Sequence, residues 1–178
     1  MKKYIDVFDY AKEILQAIPK GVLLTTKAHG KVNTMTIGWG TLGIEWRKPI
    51  FIAFVRENRF TRFQLDENGE FTVNIPFKPF DKKILGYCGT HSGKDTDKIA
   101  DLNLTLEEGE KISVPAIAEL PLTLECKVIY KQKQDMKALS KELCKIHYPQ
   151  DVDSSFSGSN KDSHIAYYGE IVSAYIIE

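Results

Sequence analysis

Arg56, Arg59 and Arg62 stand three residues apart in "VRENRFTRFQLDENGEF", with Phe60 and Thr61 among them. On a helix this spacing sets three guanidinium groups near one face, beside a hydroxyl. A guanidinium fork next to a hydroxyl suits phosphate, each charge-assisted hydrogen bond contributing about 1.5–3 kcal/mol. The same residues also suit a solvated basic edge paired with Glu57, Asp66 and Glu67.

A second pattern is "NTMTIGWG". Read with a period of two, one face carries Asn33, Met35, Ile37 and Trp39, and the other Thr34, Thr36, Gly38 and Gly40. A face of hydroxyls and bare backbone lets a flat ligand approach closely, or lets a neighbouring helix pack tightly. In the third, "CGTHSGKDTDKIADLNLTL", Ser92, Gly93 and Lys94 set a hydroxyl, a flexible backbone and a cation in succession. This falls short of a Walker loop and reads as an anion-binding turn at a helix start.

Such groups need elements to hold them. An apolar period of a helix runs from about Tyr4 to Ala17 and is stopped by Pro19. "GVLLTTKAHGKVNTMTIGWGTLGIEW" reads as two strands joined at Ala28-His29-Gly30. "PIFIAFVR" reads as a buried strand, and "GEFTVNIP" as an alternating one closed by proline. Short helices are expected in "ENRFTRFQLDEN" and "DKKILGYCG". A strand in "LPLTLECKVIYKQKQ", a helix near "MKALSKELCKIHY", a polar loop "PQDVDSSFSGSNKD" and a last strand "HIAYYGEIVSAYIIE" follow. The expected class is α+β, mainly antiparallel β: a closed or half-closed barrel with peripheral helices.

With 178 residues the chain is expected to form one domain, 1–178. Its 24 basic and 24 acidic residues argue against nucleic acid or an anionic membrane as the main partner. No apolar run approaches the roughly eighteen residues of a membrane-spanning helix, and acidic residues interrupt the N-terminal apolar segment where a signal peptide needs continuity. Cys88, Cys126 and Cys144 form no CxxC pair, which suits reduced thiols in a cytoplasm. The four histidines show no metal-ligand spacing, so no metal site is expected.

Taken together, "GVLLTT", "NTMTIGW", "PIFIAFVRENRFT", "GEFTVNIP", "CGTHSGKDTDKI", "LPLTLECKV" and "HIAYYGEI" resemble, in order, the flavin reductase-like proteins of the FMN-binding split-barrel group, which includes the flavoredoxins. The resemblance spans about Pro19 to Ala174. It implies a split β-barrel that binds FMN, usually at a homodimer interface. Asn33, Met35, Thr36, Ile37 and Trp39 would lie along the isoalloxazine ring. Arg56, Arg59, Phe60 and Thr61 would take the ribityl chain and phosphate, and Ser92, Gly93 and Lys94 would close the site. The implied activity is an NAD(P)H-dependent flavin reductase, with NADH or NADPH passing a hydride to FMN and electrons going on to an acceptor. The alternatives are a flavoredoxin-type carrier reduced by a redox protein partner, and a flavin-binding module without turnover. No catalytic side chain is assigned. His164, in the order Asp162-Ser163-His164 where reductases of this group often carry Gly-Asp-His, is either a nicotinamide-side residue or a polar strand start.

Overall fold

The computed structural model describes residues 1–153 and 161–178; the centre of the polar loop, 154–160, lies outside the described residues. The chain opens with strand β1 (Lys2–Tyr4), a 3-10 turn at Val7–Tyr10 and helix α1 (Ala11–Ala17). The continuous helix expected from Tyr4 is therefore corrected. Tyr4 pairs with Tyr175 in the sheet, and the Asp6 carboxylate accepts from the Phe8 N–H at 2.9 Å, which starts the chain turning only there. Pro19 ends α1 in a short 3-10 turn, as its position in the sequence suggests.

Strands β2 (Val22–Ala28) and β3 (Lys31–Ile37) form a hairpin whose two turn residues, His29 and Gly30, have φ of 50° and 75°. Both positive angles belong to the turn that matches strand twist. The stretch read as two strands holds three. The chain leaves β3 at Gly38-Trp39 and starts β4 (Gly40–Glu45), which turns tightly through Trp46 and Arg47 into β5 (Lys48–Arg56). Then come α2 (Phe60–Glu67), β6 (Glu70–Ile75), α3 (Lys83–Thr90), α4 (Lys98–Asp101) and the short pair β7 (Leu106–Glu107) and β8 (Ala116–Ile117). Strand β9 (Leu122–Lys133), helix α5 (Lys141–His147) and strand β10 (His164–Ile177) complete the described elements.

The main sheet runs β3-β2-β6-β9-β10-β5-β4, with β1 added beside β10, and its pairs are antiparallel. The expected α+β, mainly antiparallel class holds. The sheet is not closed: β3 and β4 are its two ends, joined in sequence but not in the ladder. Leu24, Phe51, Phe71, Val73, Leu124 and Tyr167 fill the interior and are fully buried, each large apolar side chain contributing about 1.5–3 kcal/mol. This core fixes the two end strands, and the split between them is where the chemistry-bearing residues gather.

Candidate functional site

β3 offers the split a free main-chain edge. The Thr34 carbonyl accepts from Lys98 Nζ at 2.7 Å, whereas the Asn33 carbonyl faces Thr26 on β2. Main-chain groups alternate sides along a strand, so Thr36, like Thr34, turns its N–H and C=O away from β2. Helix α3 packs beside this edge, and the Thr36 hydroxyl donates to the Leu85 carbonyl at 2.7 Å. The small face of β3 thus serves two purposes. Thr34 is fully buried and hydrogen-bonded to Thr25, so it lines no opening, contrary to the expectation that it leaves space for a ligand. Thr36 and Gly38 do border an opening.

That opening is a cleft of about 390 Å³ between Met35–Trp39, the end of β5 at Phe54 and Arg56, and the Leu85, Gly86 and Gly89 side of α3. His164 and Trp39 form one wall, their rings 4.8 Å apart and tilted by 38°. Past them lies an adjoining cleft of about 440 Å³ that shares Gly38, Trp39, Phe54 and His164 and reaches Tyr148 and Gln134.

At the other end, Arg59 joins the main cleft to a closed pocket of about 120 Å³, lined also by Asn33, Phe60, Thr61, Ser92, Gly93 and Lys98. Arg59 is the N-cap residue of α2 and its side chain makes no cap hydrogen bond, leaving a first turn whose N–H groups favour negative charge. Asn33 donates to the Thr61 hydroxyl at 2.9 Å, and Gly93 lies so close that any β-carbon on it would overlap the Asn33 amide oxygen and press on Phe60. Two buried polar atoms here, Arg59 Nε and Asn33 Oδ1, have no hydrogen-bond partner among the described residues. Turning the Asn33 amide over would let the Thr61 hydroxyl donate to Oδ1 and aim Nδ2 into the pocket as a second donor.

Positive charge accumulates across this junction. Burial lowers the Arg59 pKa, and Arg56 adds to the effect while Asp162 opposes it. Burial, with Arg59 adding to it and Cys88 opposing, brings the Lys98 ammonium down to about 8. Burial and then Arg56 hold His164 near 4, so its ring is neutral at pH 7. Each group is pressed toward neutrality by desolvation and by its cationic neighbours, a tension that a bound anion would relieve.

The three arginines do not share a helical face. Arg56 ends β5 and pairs with Asp162 at 3.5 Å, Arg59 points into the pocket, and Arg62 turns outward to Asp66 at 2.9 Å and to the Glu57 carbonyl. A strand end and an extended N-cap residue interrupt the helical spacing on which the expectation rested. The basic-edge alternative describes Arg62 alone. Asn33, Met35, Thr36, Ile37, Trp39, Arg56, Arg59, Phe60, Thr61, Ser92, Gly93 and His164 all line one or both openings. Lys94 is exposed and lines neither. The lysine the pocket uses is Lys98, 4% exposed, held by the Thr34 and Cys88 carbonyls. Sequence reasoning passed it over, although it sits in the same "GKDTDKI" segment. The α3 wall and Phe54 were also missed, since glycine and leucine in a short helix carry no chemical signal. Cys88 and Cys126 are buried free thiols and Cys144 is half-buried, as expected.

The family described as "Flavin reductase like domain" matches residues 15–178. An uncharacterized protein of Archaeoglobus fulgidus is 33% identical over 99 residues, covering 56% of this chain and 55% of that relative, so the match spans about half of the relative's length. The flavoredoxin of Methanosarcina acetivorans superposes with a TM-score of 0.64 at 28% identity, covering 89% of this chain and 68% of that one. The flavoredoxin of Desulfovibrio vulgaris (Miyazaki F) gives 0.64 at 22% identity over 89% and 69%. An NADH:FAD oxidoreductase of Streptomyces globisporus gives 0.64 at 15% identity over 98% and 87%. The last two likenesses are ones of fold.

Proposed function

This chain belongs to the flavin reductase-like domain family, and on that premise we propose that it binds FMN and works as a flavin oxidoreductase that takes electrons from NADH or NADPH. The observation that carries the reading is the pairing of a cationic pocket, where Arg59 Nε lies buried without a partner among the described residues, with a flat-walled cleft along the free edge of β3. FMN fits the two halves: a terminal phosphate for the pocket and a planar tricycle for the cleft.

In this reading Arg59, Lys98 and the start of α2 hold the phosphate, with the Asn33 amide and the Thr61 hydroxyl closing around it. Gly93 keeps the pocket open by having no side chain. The main-chain groups of Thr36 would offer a donor and an acceptor to a bound flavin, with Leu85, Gly86 and Gly89 of α3 forming the neighbouring wall. The positive field of Arg56 and Arg59 favours negative charge on whatever occupies the cleft. The bound flavin supplies the two-electron chemistry; the protein supplies position and field.

The proposal extends to residues 1–178 as one flavin reductase-like domain, to a homodimer and to a cytoplasmic setting. The edge of β4, which has no further strand partner among the described residues, supports the homodimer, and three free thiols support the reducing setting. No helix among the described residues is long and apolar enough to cross a membrane. The test is purification, identification of the flavin released on denaturation, and steady-state oxidation of NADH and NADPH by holoprotein. The reading expects FMN and turnover with one or both donors. FMN without turnover leaves the electron-carrier alternative, and a protein that cannot be loaded with FMN ends the proposal.

A further inference from the structure

His164 is the first residue of β10, opposite Arg56 of β5, and it borders both the main cleft and the adjoining one. Its Nδ1 lies 3.0 Å from the Tyr148 hydroxyl, which in turn donates to Gln134 Oε1 at 2.7 Å. The direction of this chain is set by counting protons. With the Gln134 amide oxygen toward the hydroxyl, as the structure has it, that oxygen can only accept, so the single Tyr148 hydroxyl proton is committed to Gln134. Tyr148 Oη can then only accept from the ring, which puts the proton on Nδ1. A neutral imidazole has one N–H, so Nε2 is left as a bare lone pair with no partner among the described residues.

The three residues come from separate elements that hold one another in place. Gln134 follows β9, and its N–H donates to the His164 carbonyl at 2.9 Å. Tyr148 caps α5, and Trp39 lies across the ring of His164. Burial together with Arg56 and Arg59 keeps the ring neutral, so the proton count stands at pH 7.

We infer that Gln134 and Tyr148 are positioning residues that lock His164 as the Nδ1–H tautomer, making Nε2 a fixed hydrogen-bond acceptor on the cleft. The ligand group it meets must therefore be an N–H or O–H donor, such as the amide or imide at the edge of a planar molecule. A carboxylate would set lone pairs against a lone pair. The consequence for turnover rests on the proposed oxidoreductase function; the tautomer itself does not.

The test is long-range proton–nitrogen NMR on holoprotein with ¹⁵N-labelled histidine, which reads directly which ring nitrogen of His164 carries the proton. Wild type should show Nδ1–H. In Gln134→Leu the Tyr148 hydroxyl is released to donate to the ring, so the proton should move to Nε2; in Gln134→Glu the acceptor survives and Nδ1–H should persist. A wild type already protonated at Nε2 would overturn the inference by itself, even if Gln134→Leu failed to fold. So would a Gln134→Leu protein that keeps Nδ1–H. Turnover is the second arm: Gln134→Leu should lower kcat/KM for the nicotinamide donor about tenfold, near the cost of one mismatched hydrogen bond, and Gln134→Glu should restore most of it. A protein with no NADH or NADPH oxidation still gives the NMR answer, so failure of the function and failure of the relay are separable.

Discussion

At the closed end of the site, Arg59 Nε and Asn33 Oδ1 lie buried without partners among the described residues, whereas at the open end His164 Nδ1, Tyr148 and Gln134 are joined in a hydrogen-bonded chain. Leaving a buried polar group unpaired costs about 1–3 kcal/mol. The closed pocket therefore carries an energetic debt: a bound anion accepts from Arg59 Nε directly, and from Asn33 Nδ2 once that amide is turned so that Oδ1 accepts from Thr61. The open end is already ordered and offers a ligand flat walls and one exposed lone pair. One end recognises charge; the other recognises shape and hydrogen-bond direction.

The first way to break this comparison is to charge the open end. A histidine in the unfolded chain takes up a proton as pH falls through 6.5, while His164 in the fold resists until about 4. The unfolded state binds more protons across that window, so stability is lost as pH falls through it, by about 3 kcal/mol in all at roughly 1.4 kcal/mol per pH unit. Asp66 and Glu57, whose pKa values are lowered by partners in the fold, also lose stabilisation on acidification. The informative quantity is thus the difference between wild type and His164→Gln in urea unfolding. That difference should shrink or reverse from pH 6.5 to 4; a constant difference would mean that His164 is not held neutral.

The next largest effect belongs to the closed end alone. Arg59→Ala should weaken FMN by about 1.5–3 kcal/mol, roughly tenfold to a hundredfold, and leave riboflavin affinity unchanged. Arg59→Lys keeps the charge without the fork and should lose less. Calorimetric titration of both ligands checks this, and an equal loss for both would make Arg59 structural. Thr36→Leu acts on the shape-reading end and should weaken FMN and riboflavin alike, by about tenfold, through crowding against Leu85 and Gly89. A loss confined to FMN would place the ring elsewhere.

Much of this site could be read from the sequence because its residues lie on short, strongly patterned segments. The alternation from Asn33 marks a strand, which runs as far as Ile37, and Arg59-Phe60-Thr61 marks a turn into a helix. What could not be read depends on tertiary contact. Lys98 looks like any surface lysine until α4 aims it at the Thr34 carbonyl, whereas Lys94, beside a flexible glycine, advertises itself and stays in solvent. The break between β3 and β4 escaped notice because Gly38-Trp39 continues the small-large alternation, whereas the β4–β5 turn at Trp46-Arg47, with φ of 51° and 61°, falls between two segments already read apart. Trp46 is held there against Tyr130 and Tyr168, contacts with no local signature. Gln134, Tyr148 and His164 are likewise far apart in the chain, so their hydrogen-bond chain exists only in the fold.

The division of labour between the two ends is tested most directly by titrating flavin-free protein with FMN and with riboflavin, which share the ring and differ in the phosphate. The account predicts that FMN binds at least about tenfold more tightly, the contribution of one or more charge-assisted hydrogen bonds in the closed pocket. Equal affinities would contradict it, since the buried Arg59 Nε would then be recognising nothing.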